Sequence, residues 1–211
     1  MLAIWFIGRP LEKTHGFTNI ALLFMISAVG GNILSAAMQP NVISVGASGG
    51  IFGMVGICLA DILVNWDLLF LKLGNGGGRD ERTKCQNIQV LVWLCVDILA
   101  NILIGLTPLV DNFAHMGGLL YGICYALPLV DRLGMHFFGP LGKCFQVQNW
   151  SLRVFGFVAG CTLTLISSIL LLKSDGYHAP CENCRYMSCA PFPFWTEDKW
   201  WDCSPIPPPY E

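Results

Sequence analysis

Charge is what this sequence has least of. Only 12% of its 211 residues are charged, while 54% are hydrophobic, and soluble domains carry about 25% charge. A soluble core of this size cannot hide so much apolar surface, whereas a bilayer can. Basic excess is missing too. The net charge is −2 and the isoelectric point is near 6.0, which excludes the positive footprint of a nucleic-acid binder. No short basic region, apolar run and small-residue cleavage site opens the chain, so no signal peptide is expected. No internal repeat is visible, which weighs against a transporter.

What the sequence has instead is a series of apolar runs near the length of about 20 residues that spans a bilayer. They cover residues 16–38, 46–70, 88–106, 111–130 and 152–172. Before them stands MLAIWFI, too short to cross alone. The joining stretches are polar or rich in breakers: GRPLEKTH, QPNVISV, KLGNGGGRDERTKCQN, TPLV and DRLGMHFFGPLGKCFQVQNW. Their basic residues alternate. Arg9, Lys13, Lys72, Arg79, Arg82, Lys84, Arg132, Lys143 and Arg153 fall on one side, and residues 39–45 and 107–110 hold none. The positive-inside rule assigns the basic side to the cytosol. The expected fold is all-α, a polytopic membrane helix bundle with five full spans after an N-terminal stub. Residues 1–172 form the membrane domain and 173–211 an extracytosolic tail.

The ten cysteines divide by surroundings. Cys58, Cys95, Cys124 and Cys161 lie in apolar runs, where a thiol acts as a small hydrophobe. Cys85 and Cys144 fall in polar loops. Cys181, Cys184, Cys189 and Cys203 cluster in the tail, where an oxidising compartment most simply pairs them as two disulfides. The C-x2-C-x4-C spacing with a later Cys also suits zinc, although no His completes a mixed ligand shell. The tail tryptophans suit the headgroup region.

Two segments carry chemistry-bearing residues: Gly46-Ala47-Ser48-Gly49-Gly50-Ile51-Phe52-Gly53 and Ala114-His115-Met116-Gly117-Gly118-Leu119-Leu120-Tyr121-Gly122. Small residues four apart let membrane helices approach closely, so Gly49/Gly53 and Gly118/Gly122 read first as packing. His115 is costlier, because an ionisable residue in a span is a functional hypothesis by default. By the loop charges, Ser48 opens one helix and His115 enters another from the same outer side. A hydroxyl nucleophile needs such an adjacent base. Asp61/Asn65 and Asp97/Asn101 each share a helical face. The first pair is expected near the cytosolic headgroups and the second facing the bundle interior.

The GxSGxxxG and AHxGGxxxG patterns, together with GRPLE, SAVGGNILSA and DNFAHMGG, resemble the rhomboid family of intramembrane serine proteases over roughly residues 1–130. The resemblance implies a dyad with Ser48 as nucleophile and His115 as base. It makes Gly46 and Gly49 the backbone that aims the Ser48 N–H at an oxyanion. Gly117 and Gly118 then allow the two catalytic helices to touch, with Gly53 and Gly122 packing below. Tyr121 is placed near the imidazole. No metal or cofactor is implied. The partners implied are the bilayer and single-pass membrane substrates, in the secretory pathway (Golgi or plasma membrane) rather than mitochondria. The last apolar run and the tail look similar to plant-type members.

One part of the family pattern has no counterpart here. An H-x-x-x-N segment supplies further oxyanion donors, and this chain's likeness begins after it. His15, His136 and His178 do not replace it. The expectation is an N-terminally truncated protease, and the alternative is an inactive rhomboid-like protein that binds membrane clients.

Overall fold

A bilayer offers no water to the backbone, so a chain this apolar must satisfy its N–H and C=O groups within helices. In the computed structural model every regular element among the described residues is helical. The structure describes residues 4–40, 46–66, 69, 80–107, 110–130, 143–173, 186–187 and 189. A π-helical turn, Ile4–Gly8, leads into α1 (Arg9–His15). Then follow α2 (Phe17–Met38), α3 (Ser48–Val64), α4 (Asp80–Ile104), α5 (Asn112–Leu129) and α6 (Lys143–Lys173). The fold is an all-α polytopic membrane bundle.

Among the described residues three stretches are long and apolar enough to cross a membrane: Phe17–Met38, Asn87–Ile104 and Trp150–Lys173. The apolar α3 is shorter, at 17 residues, and the 18-residue α5 includes Asn112, His115 and three glycines. The helices that carry the two motif segments are thus the less suited to lipid. They are solvated by protein instead, each burying ten residues. Short or polar spans are tolerated where neighbours replace lipid.

Backbone contacts give the directions. Added Cβ atoms on Gly49 and Gly56 of α3 would meet the carbonyls of Ala114 and Leu119 in α5, so α3 and α5 run parallel. Gly31 of α2 faces Ala114, whereas the earlier Ser27 faces Gly53, so α2 runs antiparallel to both. The helix α6 returns along α5. Gly156 sits against Leu127, and the Tyr125 hydroxyl shares a 2.8 Å hydrogen bond with Thr164. Leu23, Met54, Ile57, Ala126 and Leu127 fill the core between these helices.

Several expectations change. The stretch GRPLEKTH is helical, because Pro10 sits in the first turn, where its missing N–H costs nothing. Its Leu11 and His15, one turn apart, are buried. Both α4 and α6 begin earlier than their apolar runs, since no glycine or proline interrupts residues 80–87 or 143–151. By contrast α3 stops at Val64, short of residue 70. At that end the Asn65 amide turns back to Asp61, donating to its carboxylate at 2.7 Å and its carbonyl at 3.2 Å.

One Asp/Asn pair is more tightly packed than expected, and the other lies elsewhere. His15 comes within 3.3 Å of the Asp61 carboxylate and is only 6% exposed, so Asp61 and Asn65 belong to a packed polar cluster. The contact is close but not aligned as a hydrogen bond, since neither buried His15 nitrogen has such a partner. Asp97 does not face the interior. It is exposed on α4, where Asn101 donates to its carbonyl at 2.8 Å and its carboxylate at 3.2 Å. No part of the Asn87–Ile104 stretch is buried. Trp93, Leu99 and Leu103 point outward, a surface that lipid tails solvate as well as protein does.

Candidate active site

Ser48 is the first residue of α3, with Ala47 as its N-cap. The Ala47 carbonyl accepts the first helical bond, from Ile51 N–H at 3.2 Å. The N–H groups of a helix's first turn have no intrahelical acceptor, so the Ser48 N–H is available for an external oxygen. The Ser48 side chain is half-buried.

His115 stands in the first turn of α5. The turn is anchored by Asp111, whose Oδ1 accepts the Ala114 N–H at 3.0 Å. Its Oδ2 accepts the Ser35 hydroxyl of α2 at 2.5 Å, and its carbonyl accepts the His115 N–H at 3.3 Å. The imidazole is buried and stacks on Phe52, one turn beyond Ser48, with centroids 4.3 Å apart and planes 13° from parallel. Its Nδ1 is buried without a hydrogen-bond partner. Among the described residues no hydrogen bond joins the Ser48 hydroxyl to the imidazole.

Backbone proximity brings the two motif segments together. A Cβ on Gly49 would sit 3.2 Å from the Ala114 carbonyl oxygen, and one on Gly118 would strike the Gly49 carbonyl and come 3.0 Å from its Cα. One turn deeper, a Cβ on Gly122 would strike the Gly53 carbonyl. The two glycine pairs, each four apart, therefore face one another across α3 and α5. Serving packing and serving the site are here the same thing, because this contact sets Ser48 beside the turn that holds His115.

The remaining glycines divide. Gly53 leaves room for Ser27 of α2. Gly117 faces Gly31 and Leu34 of α2 rather than α3. Gly46 is exposed, with only ordinary contact (3.5 Å) from a Cβ to Ser48 Oγ. Neither Gly46 nor Gly49 adopts a positive φ; among the described residues only Gly16 does. Tyr121 does not accompany the imidazole. Its ring lies against Gly30 and stacks on Tyr125 at 6.1 Å.

Sequence reading did not single out Phe52, Asp111 or Ser35. Two had a local signal: Phe52 is four residues after Ser48, and Asp111 stands three before Ala114, the spacing of an N-cap. Ser35 had none, because its bond to Asp111 joins residues distant in sequence.

The start of α5 also holds the tail. The Asn112 amide donates to the Met187 carbonyl at 2.6 Å, so the turn at Tyr186–Met187 lies at the Ser48/His115 end of the bundle. Cys189 is disulfide-bonded. Cys181, Cys184 and Cys203 lie outside the described residues, as do His136 and His178. His15, at the far end of α2, cannot reach Ser48. Among the described residues no group of His, Cys, Asp and Glu could hold a metal ion.

Comparison with known proteins shows the family. The family model described as Rhomboid domain matches residues 1–132. RHOMBOID-like protein 1 of Arabidopsis thaliana is 33% identical, the match covering 93% of this chain and 49% of that protein. RHOMBOID-like protein 4 of the same plant is 35% identical, covering 93% and 48%. Inactive rhomboid protein 1 of Bos taurus is 27% identical, covering 87% and 19%. The chain spans about half the length of the two plant relatives. With most of the membrane bundle inside the matched segment, the chain belongs to the rhomboid family.

Proposed function

We propose that this chain carries the catalytic dyad of a rhomboid-type intramembrane serine endopeptidase. The observation that carries the reading is the face-to-face packing of Gly49 and Gly118, which sets Ser48 at the start of α3 beside the first turn of α5. In the proposed reaction Ser48 Oγ attacks the scissile carbonyl carbon while His115 takes the hydroxyl proton. The C–N bond then breaks, the imidazolium protonates the leaving amine, and an acyl-serine remains. Water, deprotonated by His115, hydrolyses that ester and frees the second product. The Ser48 N–H supplies one donor to the oxyanion, and such donors are each worth about a hundred- to a thousandfold in rate. The substrates would be single-pass membrane proteins whose helices unwind at the outer boundary.

The second reading is a rhomboid-like protein that binds membrane clients without cleaving them. It is favoured by the lack of a Ser48–His115 hydrogen bond among the described residues and by the similarity to an inactive relative. A fluorophosphonate probe separates the two. The dyad predicts labelling of the protein in membranes that Ser48→Ala and His115→Ala abolish. Equal labelling of wild type and Ser48→Ala overturns it.

We further infer a membrane domain over 1–172 and an extracytosolic tail over 173–211. A disulfide at Cys189 beside the Ser48 end supports an oxidising compartment, hence the secretory pathway. Protection of an epitope tag on the tail from protease in sealed microsomes, lost on permeabilisation, and Golgi or plasma-membrane imaging test this. Mitochondrial residence overturns it.

A further inference from the structure

Asp111 is used more fully than a helix cap requires. An N-cap needs one side-chain oxygen, to accept an N–H of the first turn, and Oδ1 does this for Ala114. The second oxygen, Oδ2, is engaged by Ser35 of α2, a residue only 4% exposed. The Asp111 carbonyl holds the N–H of His115 itself. One residue therefore fixes the backbone of the His115 turn and ties it to a second helix.

The imidazole needs such a tie, because its side-chain nitrogen Nδ1 has no hydrogen bond to orient it. Many enzymes orient a catalytic base through a third group bonded to the ring. Here the ring is stacked on Phe52, and its remaining freedom is rotation and drift with the α5 turn. Sliding of α5 on α2 would shift that turn, and the Ser35–Asp111 bond opposes this movement.

We propose that Asp111 and Ser35 act as positioning residues for His115, setting its ring against Ser48 through the backbone of the α5 first turn. This rests on the dyad reading for its catalytic consequence but not for its structural content.

The test uses the full chain in lipid nanodiscs with histidine ring carbons labelled, the His115 resonance being assigned by its loss in His115→Asn. Ser35→Ala leaves the cap and removes the tie. Asp111→Asn can keep both bonds, accepting from Ala114 and donating to Ser35. Wild type and Asp111→Asn are expected to give one sharp His115 resonance, while Ser35→Ala and Asp111→Ala broaden or split it. Unchanged resonances in both alanine variants overturn the proposal, even if those variants melt earlier. With a membrane reporter substrate, Ser35→Ala is expected to lower kcat about tenfold with KM unchanged, and Asp111→Asn to restore it. A kcat equal to wild type in Ser35→Ala also overturns the proposal. A wild type that neither cleaves nor takes the fluorophosphonate overturns the dyad instead, and the resonances still decide the role of Asp111.

Discussion

The ring of Phe52 lies flat against the imidazole of His115, 4.3 Å between centroids. The two residues are on different helices, and Phe52 is one turn from Ser48, so this stack is the side-chain contact that links the serine's helix to the histidine. Aromatic pairs contribute about 0.5–1.5 kcal/mol beyond the area they bury, and about 1.4 kcal/mol is tenfold in rate. Phe52→Leu is expected to lower reporter cleavage about three- to tenfold, and Phe52→Tyr to retain it. Wild-type rates in Phe52→Leu, with expression matched, count against a role for the stack.

Gly118→Ala places a methyl group into the Gly49 carbonyl. Backbone on one side and helix on the other cannot give way as a flexible side chain would. Overpacking of this kind costs about 1–3 kcal/mol or more, and the separation of α3 from α5 should remove Ser48 from the His115 turn. The expected result is a lower Tm and loss of probe labelling. Gly46→Ala, whose methyl group meets only ordinary contact with Ser48, is the matched control and should melt as wild type.

At the opposite end, Asp61→Ala removes the nearer acceptor of the Asn65 amide and the neighbour of buried His15. Hydrogen bonds to a charged group contribute about 1.5–3 kcal/mol. Thermal unfolding in nanodiscs should move down accordingly. Probe labelling per folded molecule should not change, because the cluster is at the far end of α3 from Ser48. A loss of labelling without a loss of stability would contradict that separation.

The tail is held by the Asn112–Met187 bond, and its Cys189 is disulfide-bonded. Reduction with dithiothreitol is expected to lower Tm in the wild type and to lower it less in Asn112→Ala, whose latch is already weakened. Contacts that share an element couple in this way, whereas independent ones add. Strictly additive shifts would show that the two ties are independent.

Much of this was legible along the chain because its causes are local. The apolar runs marked the membrane helices, since hydropathy and length act residue by residue, and Asp111 stood three residues before Ala114 as caps do. Boundaries were less legible. The end of α3 at Val64 has no breaker to mark it, and α1 forms because Leu11 and His15 find a bundle to bury against.

The sequence by itself determined the membrane fold, the family and the identity of the paired Ser and His segments, because composition, span length and motif spacing are properties of the chain alone. Only the tertiary structure decided which surfaces those segments use. Gly118 turned to α3 but Gly117 to α2, Tyr121 left the imidazole for Gly30, and His15 joined Asp61. In a bilayer all apolar faces are equally solvated. Which face packs inward is therefore set by close backbone approach and by pairing of polar groups between helices, and neither exists until the helices meet.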